Sequence, residues 1–328
     1  MKLHAIDISL VVLYLIVTLG IGLVAGKNIK TFREYATSNY KFADSSLFAS
    51  IIATWVGADV ILGITEKVYA EGMIWVAILL AGAIAEMLVF NQLSSKIYRF
   101  KGCLTPGEIM GICYNSHTIR VITGLCVAFL SIGTIGVQIA ALEMLTDMFF
   151  GLPPYMGMVI CSLVVIVYSS VGGIKAVVYT DIIQFGLIII AIPLMAMLLV
   201  QLLGGMPVII ENLPSAHTHI FPEASERSRY LLLLFLFAIP YADPCLIQRV
   251  LISKSSKQAA YTFKVSIGVF AVLYPIMGII ALTALASKTG LEPKAAFYHL
   301  IDTYLPTIGK GIAITIIVAI IMSTTDSW

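Results

Sequence analysis

Residues 45–72 read SSLFASIIATWVGADVILGITEKVYAEG, a stretch long and apolar enough to cross a bilayer but interrupted by Gly57, Ala58, Asp59 and Gly63. A membrane helix that unwinds halfway leaves backbone carbonyls where no water can satisfy them. Such an interruption survives only where it lines a cavity or binds a ligand. Composition supports the membrane setting. The chain is 59% hydrophobic and 12% charged, with a mean hydropathy of +0.99, whereas soluble domains carry about 25% charged residues. A net charge of +2 is too small to suggest a nucleic-acid partner.

Working outward, nine windows are long enough for about 30 Å of hydrocarbon. They are 6–26, the broken 45–70, 73–93, 119–150, 155–171, 177–203, 230–250 with Pro240 and Pro244 inside it, 260–286, and one from 308 to the last residue. The first lacks a small-residue cleavage site and reads as a retained helix, not a leader. With the N-terminus outside, thirteen Lys and Arg fall in inward loops, among them Arg249, and seven fall outside. That bias follows the positive-inside rule. The expectation is therefore a multi-pass protein of the cell or inner membrane, embedded in lipid. Five cysteines (Cys103, Cys113, Cys126, Cys161 and Cys245) lack metal-ligand spacing and read as buried free thiols.

Depth brings two distant segments together. At 1.5 Å per residue, Ala53–Val56 lie roughly 12–17 Å above the inner face, and Ser323 lies about 10 Å above it. Ile320, Ser323, Thr324 and Ser327 fall at i, i+3, i+4 and i+7, on one helical face. Two hydroxyls opposite freed carbonyls form an all-oxygen cage suited to a small hard cation, and the scarcity of fixed negative charge favours a monovalent one. The alternative is that both hydroxyls back-bond to their own helix.

Ionisable residues at membrane depth are candidates for function. Asp181 either belongs to an ion route or caps a helix N-terminus. Asp59 and Asp243 either line a cavity or satisfy unwound backbone. Glu86 reads as paired within the bundle, and Gln138 as a solute contact or helix glue. Trp75, Tyr98 and Tyr230 read as interfacial belt residues, and His217 and His219 as solvated loop residues. No GxxxxGKS/T, HExxH, GxSxG or GxGD pattern occurs, so neither ATP-driven pumping nor hydrolysis is expected; the chain is read as no enzyme and as needing no organic cofactor.

Three stretches carry a family resemblance: YSSVGGIKAVVYTDIIQ (168–184), QRVLISKSSKQA (248–259) and AIIMSTTDS (319–327). In this order and spacing they resemble the sodium:solute symporter family, and ATWVGADVILGITEKVYAEG is similar to that family's first core helix. The resemblance implies an all-α, LeuT-like bundle of inverted five-helix repeats with an extra N-terminal helix. Residues 6–26 would be the extra helix, 45–203 the first repeat, and 230–328 an incomplete second. It implies sodium as coupling ion, held by Ala53, Val56, Ile320, Ser323 and Thr324. A second sodium would sit near Asp181, Asp326 and Ser327, and a small organic solute near Thr54, Gly57, Gln138, Leu236 and Pro240. Trp55 stands where proline carriers of the family hold an aspartate, which argues against proline. Because the chain stops inside the ninth window, a solute-sensing module or an inactive remnant stands as the alternative to a symporter.

Overall fold

The computed structural model describes residues 3–27, 29–151, 153–214, 217, 225–239, 241 and 243–328. Helix α1 (Ala5–Gly26) is fixed by Asp7, whose Oδ2 accepts from the His4 N–H at 3.2 Å. Its Oδ1 accepts from the N–H groups of Ile308 (2.8 Å) and Gly311 (2.9 Å), where the last helix begins. One carboxylate thus serves two helix N-termini, the ends that favour negative charge.

A short α2 (Phe32–Thr37) leads to α3 (Asp44–Trp55) and α4 (Ala58–Glu71), which meet at a 47° bend. Then follow α5 (Ile74–Ile97), α6 (Pro106–Cys113), α7 (His117–Leu145) and α8 (Pro154–Leu202). At 1.5 Å per residue, the 49 residues of α8 are about twice the length one span needs. They divide at Gly173 (φ 53°, ψ −152°), where a Cβ would lie 2.5 Å from the Tyr35 carbonyl oxygen. The two windows expected at 155–203 are therefore two arms of one interrupted helix.

After α9 (Met206–Glu211), the window expected at 230–250 is itself broken, into α10 (Arg227–Ala238) and α11 (Pro244–Leu251). Pro244 sits at the first turn of α11, and Asp243 Oδ1 accepts from the N–H groups of Cys245 (2.7 Å) and Leu246 (3.0 Å). Proline and an N-cap together start a new helix there. The chain continues through α12 (Ser256–Ser287), α13 (Ala296–Tyr304) and α14 (Gly309–Ser327). Among the described residues, six helices are long and apolar enough to span a membrane, seven with the bent pair α3–α4.

Helix α7 exposes Val121, Ile122, Leu125, Phe129 and Ile132, a surface suited to lipid. Helix α14 is the opposite case: Ala319–Thr324 are buried, packed against α8, α1, α7 and α3.

Several expectations need correcting. Gly63 lies inside α4, away from the bend. Arg249, counted among the loop cations, is 1% exposed. Trp75 is buried edge-on to Phe237 with Lys67 Nζ 4.9 Å from its ring centre, so it is a packing residue and not a belt residue. All five cysteines are free, but Cys113 and Cys126 are exposed. His217 is half-buried and its carbonyl accepts from the Met73 N–H, so it is not simply a solvated residue; His219 lies outside the described residues.

Candidate ion and solute site

The bend between α3 and α4 can be accounted for bond by bond. In an unbroken helix the N–H groups of Gly57, Ala58 and Val60 would bond the carbonyls of Ala53, Thr54 and Val56. Instead Gly57 N–H turns to Trp55 O (3.0 Å) and Val60 N–H to Gly57 O (3.1 Å), while Ala58 N–H bonds Gln138 Oε1 (3.0 Å). Three carbonyls are thereby released in a buried place. That of Thr54 accepts from Thr324 Oγ1 at 3.1 Å, across 270 residues of sequence. Ala53, Val56, Ile320 and Ser323 are each 0% exposed around it. The depth argument put these segments side by side, and they are.

Gly57 makes this junction possible. A Cβ there would stand 2.3 Å from Asp59 Oδ1, 2.8 Å from Thr324 Oγ1 and 3.1 Å from Gln138 Nε2. Gln138 Nε2 donates in turn to Asp59 Oδ1 at 2.9 Å. Gln138 therefore serves the bend with both ends of its amide, joining α7 to the start of α4 as the helix-glue alternative has it.

Ser323 does not aim at a carbonyl; its Oγ donates to Asp181 Oδ1 at 2.6 Å. Asp181 Oδ2 accepts from Ser50 Oγ at 2.5 Å and lies 3.5 Å from Arg249 Nη2. Asp181 sits in the interior of α8, not at its start, so the capping alternative falls away. Arg249 also donates from Nε to Ser50 Oγ (2.9 Å) and from Nη2 to Thr54 Oγ1 (3.0 Å) and Ser327 Oγ (2.8 Å). Asp326 accepts from Tyr168 OH and, at 3.4 Å, from Thr180 Oγ1.

Of the three residues expected at a second sodium, Asp181 and Ser327 meet the Arg249 guanidinium, through an ion pair of 3.5 Å and a hydrogen bond of 2.8 Å, while Asp326 is held by Tyr168 and Thr180. A fixed cation thus already stands beside two of the three. Sequence reasoning missed Arg249 because a basic residue at the end of an apolar window reads as a loop charge. Tyr168 was missed because a tyrosine within a span reads as core.

A cavity of about 400 Å³ opens between the two broken segments. Thr54, Trp55 and Asp59 line it from one side, and Phe237, Ile239, Tyr241 and Asp243 from the other; Glu86, Tyr274 and Trp328 are also on its walls. Of the residues expected at the solute, Thr54 lines this space. Gly57 and Gln138 are buried behind it in the bend. Leu236 is 52% exposed on the outer side of α10, where the helical turn carries it away from the cavity that Phe237 faces; Pro240 lies outside the described residues. Asp243 does both jobs proposed for it, lining the cavity and holding broken backbone, whereas Asp59 lines the cavity and reaches the broken backbone only through Gln138. Glu86 makes no ion pair among the described residues: its Oε2 accepts from the Tyr241 N–H at 3.1 Å and its Oε1 is buried without a partner.

Comparison with known proteins identifies the family and the fold. The sequence profile described as "Sodium:solute symporter family" matches residues 35–328. The sodium/pantothenate symporter of Escherichia coli K12 is 23% identical over 208 residues, 62% of this chain and 43% of that protein. The sodium/glucose cotransporter of Vibrio parahaemolyticus is 24% identical over 208 residues, 62% of this chain and 38% of that one. The human sodium/iodide cotransporter is 23% identical over 284 residues, 81% of this chain and 43% of that one. The chain thus spans less than half the length of these curated relatives.

Among solved structures, a Na+-coupled sialic acid symporter in a substrate-bound outward-open state superposes with a TM-score of 0.88. It is 19% identical, and the match covers 99% of this chain and 72% of that one. The chain is therefore an all-helical, multi-pass membrane protein of the LeuT-like fold, and it belongs to the sodium:solute symporter family, a family of transporters and not of enzymes.

Proposed function

We propose that the protein is a sodium-driven symporter that imports a small organic solute by alternating access. The observation that carries this reading is the bend of α3–α4 set against the hydroxyls of α14. Carbonyls of Ala53 and Val56 have lost their helical partners, and Thr324 already bridges to the neighbouring carbonyl. Together with the Ile320 carbonyl and the hydroxyls of Ser323 and Thr324, they supply five oxygens for one sodium ion, which is cargo here and not a resident cofactor. Hard oxygen ligands with little net charge suit a monovalent ion.

Sodium binding ties α3 to α14 and favours one orientation of the bundle; its release lets the bundle rock and discharge the solute from the adjoining cavity. Coupling of this kind amounts to about 1–3 kcal/mol between the two sites. In this scheme the N-terminus is outside, 6–26 is an added helix, and 45–203 and 230–328 belong to two inverted repeats.

The test is binding of radiolabelled sodium to the purified protein in lipid nanodiscs, at constant ionic strength in potassium. Saturable binding that potassium does not displace is expected. Ser323→Ala and Thr324→Ala should each weaken it by about tenfold or more, the range for losing one polar contact to a charged group. Affinity unaltered in both variants removes α14 from the site and with it this mechanism.

A further inference from the structure

The cavity between the broken helices has an unusual electrical character. Asp59, Glu86 and Asp243 all line it, and no Lys, Arg or His does so among the described residues. Arg249, the one buried Lys or Arg among the described residues, is engaged with Asp181, Ser50, Thr54 and Ser327. Asp243 is satisfied: Oδ1 caps α11 and Oδ2 accepts from Tyr241 OH at 3.2 Å. Asp59 accepts from Gln138.

Glu86 is the exception. It is 2% exposed, near the middle of α5, and its Oε1 is buried with no hydrogen-bond partner. A buried acceptor left without a donor is costly, more so when it belongs to a carboxylate. Such a group in a lined cavity awaits a donor from the ligand. Five aromatic residues, Trp55, Phe237, Tyr241, Tyr274 and Trp328, stand among small, aliphatic and hydroxyl residues on the remaining walls. Ring faces attract cations.

A neighbouring cavity has the same sign. A second cavity of about 600 Å³ shares Asp59 with the first and is lined by Glu66, Glu143 and Asp147 against the single cation Lys294. A cleft lined by one sign of charge concentrates ions of the other.

From this we infer that the solute carries a protonated amine, whose N–H groups meet Glu86 Oε1 while the aromatic walls enclose the rest of the molecule. This rests on the transport reading above, because it assigns a substrate class to that reading's cavity. The volume of about 400 Å³ falls in the range of small-molecule sites, about 300–1,000 Å³.

Three probes of one shape separate charge from fit: cyclohexylmethylamine, cyclohexylmethanol and cyclohexanecarboxylate. Trp55 and Trp328 line the cavity, so tryptophan emission of the purified protein in sodium buffer reads occupancy. The amine should bind at least tenfold more tightly than the alcohol, and the carboxylate more weakly than either. Glu86→Gln keeps the shape and an acceptor for the Tyr241 N–H, and should lower amine affinity at least tenfold. Asp59→Asn should lower it less.

The comparison of probes on the unaltered protein stands even where a variant fails to fold. Equal or tighter binding of the alcohol or the carboxylate overturns the inference, as does an amine preference that Glu86→Gln leaves intact. Sodium binding is measured on the same sample. Sodium bound with the wrong probe preferred refutes the amine alone; neither sodium nor any probe bound refutes the transport reading as well.

Discussion

Replacing Gly57 with alanine tests the junction on which the proposed sodium site depends. Gly57 has φ −82°, which any residue adopts, so the effect is steric and not backbone strain. The new Cβ would stand 2.3 Å from Asp59 Oδ1 and 2.8 Å from Thr324 Oγ1. Non-bonded heavy atoms settle at about 3.5 Å, so Asp59 must retreat by about 1 Å and Thr324 by about half that.

The first movement breaks the 2.9 Å bond from Gln138 to Asp59, and the second opens the 3.1 Å bond from Thr324 to Thr54. Overpacking of this kind costs about 1–3 kcal/mol. Thr324 is one of the proposed ion ligands, and the Gln138–Asp59 pair holds the bend that frees the carbonyls of Ala53 and Val56, so sodium affinity should fall by about 5–150-fold. The assay is the rise in unfolding temperature as sodium replaces potassium at constant ionic strength.

Gly63→Ala is the matched control. It lies on the same segment, within α4, with nothing within 4 Å of its added Cβ, where alanine is favoured over glycine by about 1 kcal/mol. It should melt no lower than the parent and keep its response to sodium. A full sodium response in Gly57→Ala, or an equal loss in both variants, refutes the reasoning.

Two further outcomes follow from the buried charges and the second interruption. Arg249→Met strands the Asp181 carboxylate without its counter-charge and should cost about 3–5 kcal/mol of stability, read as a lower unfolding temperature. Adding Asp181→Asn should recover most of that loss, and a double variant no more stable than the single would show that the pair is not what matters. Gly173→Ala meets both a left-handed φ of 53° and a contact of 2.5 Å to the Tyr35 carbonyl. It should lower the yield of folded protein well below that of Gly186→Ala, whose added Cβ has nothing within 4 Å.

Hydropathy alone determined that the chain crosses a membrane repeatedly, because apolar length is a local property and the bilayer sets the length required. Gly57 and Asp59 inside an apolar window were enough to reveal the first broken helix, and the 1.5 Å rise per residue to set it level with Ser323 and Thr324. What the side chains at that level do was decided only by packing. Whether Ser323 meets a carbonyl or Asp181, and whether Gln138 reaches a solute or the bend, depends on helix rotation, which sequence spacing does not set. Arg249 shows the limit most clearly. Its burial follows from Asp181, Ser50, Thr54 and Ser327, brought to it from three other helices, and a charge reads as buried only once its partners are in place.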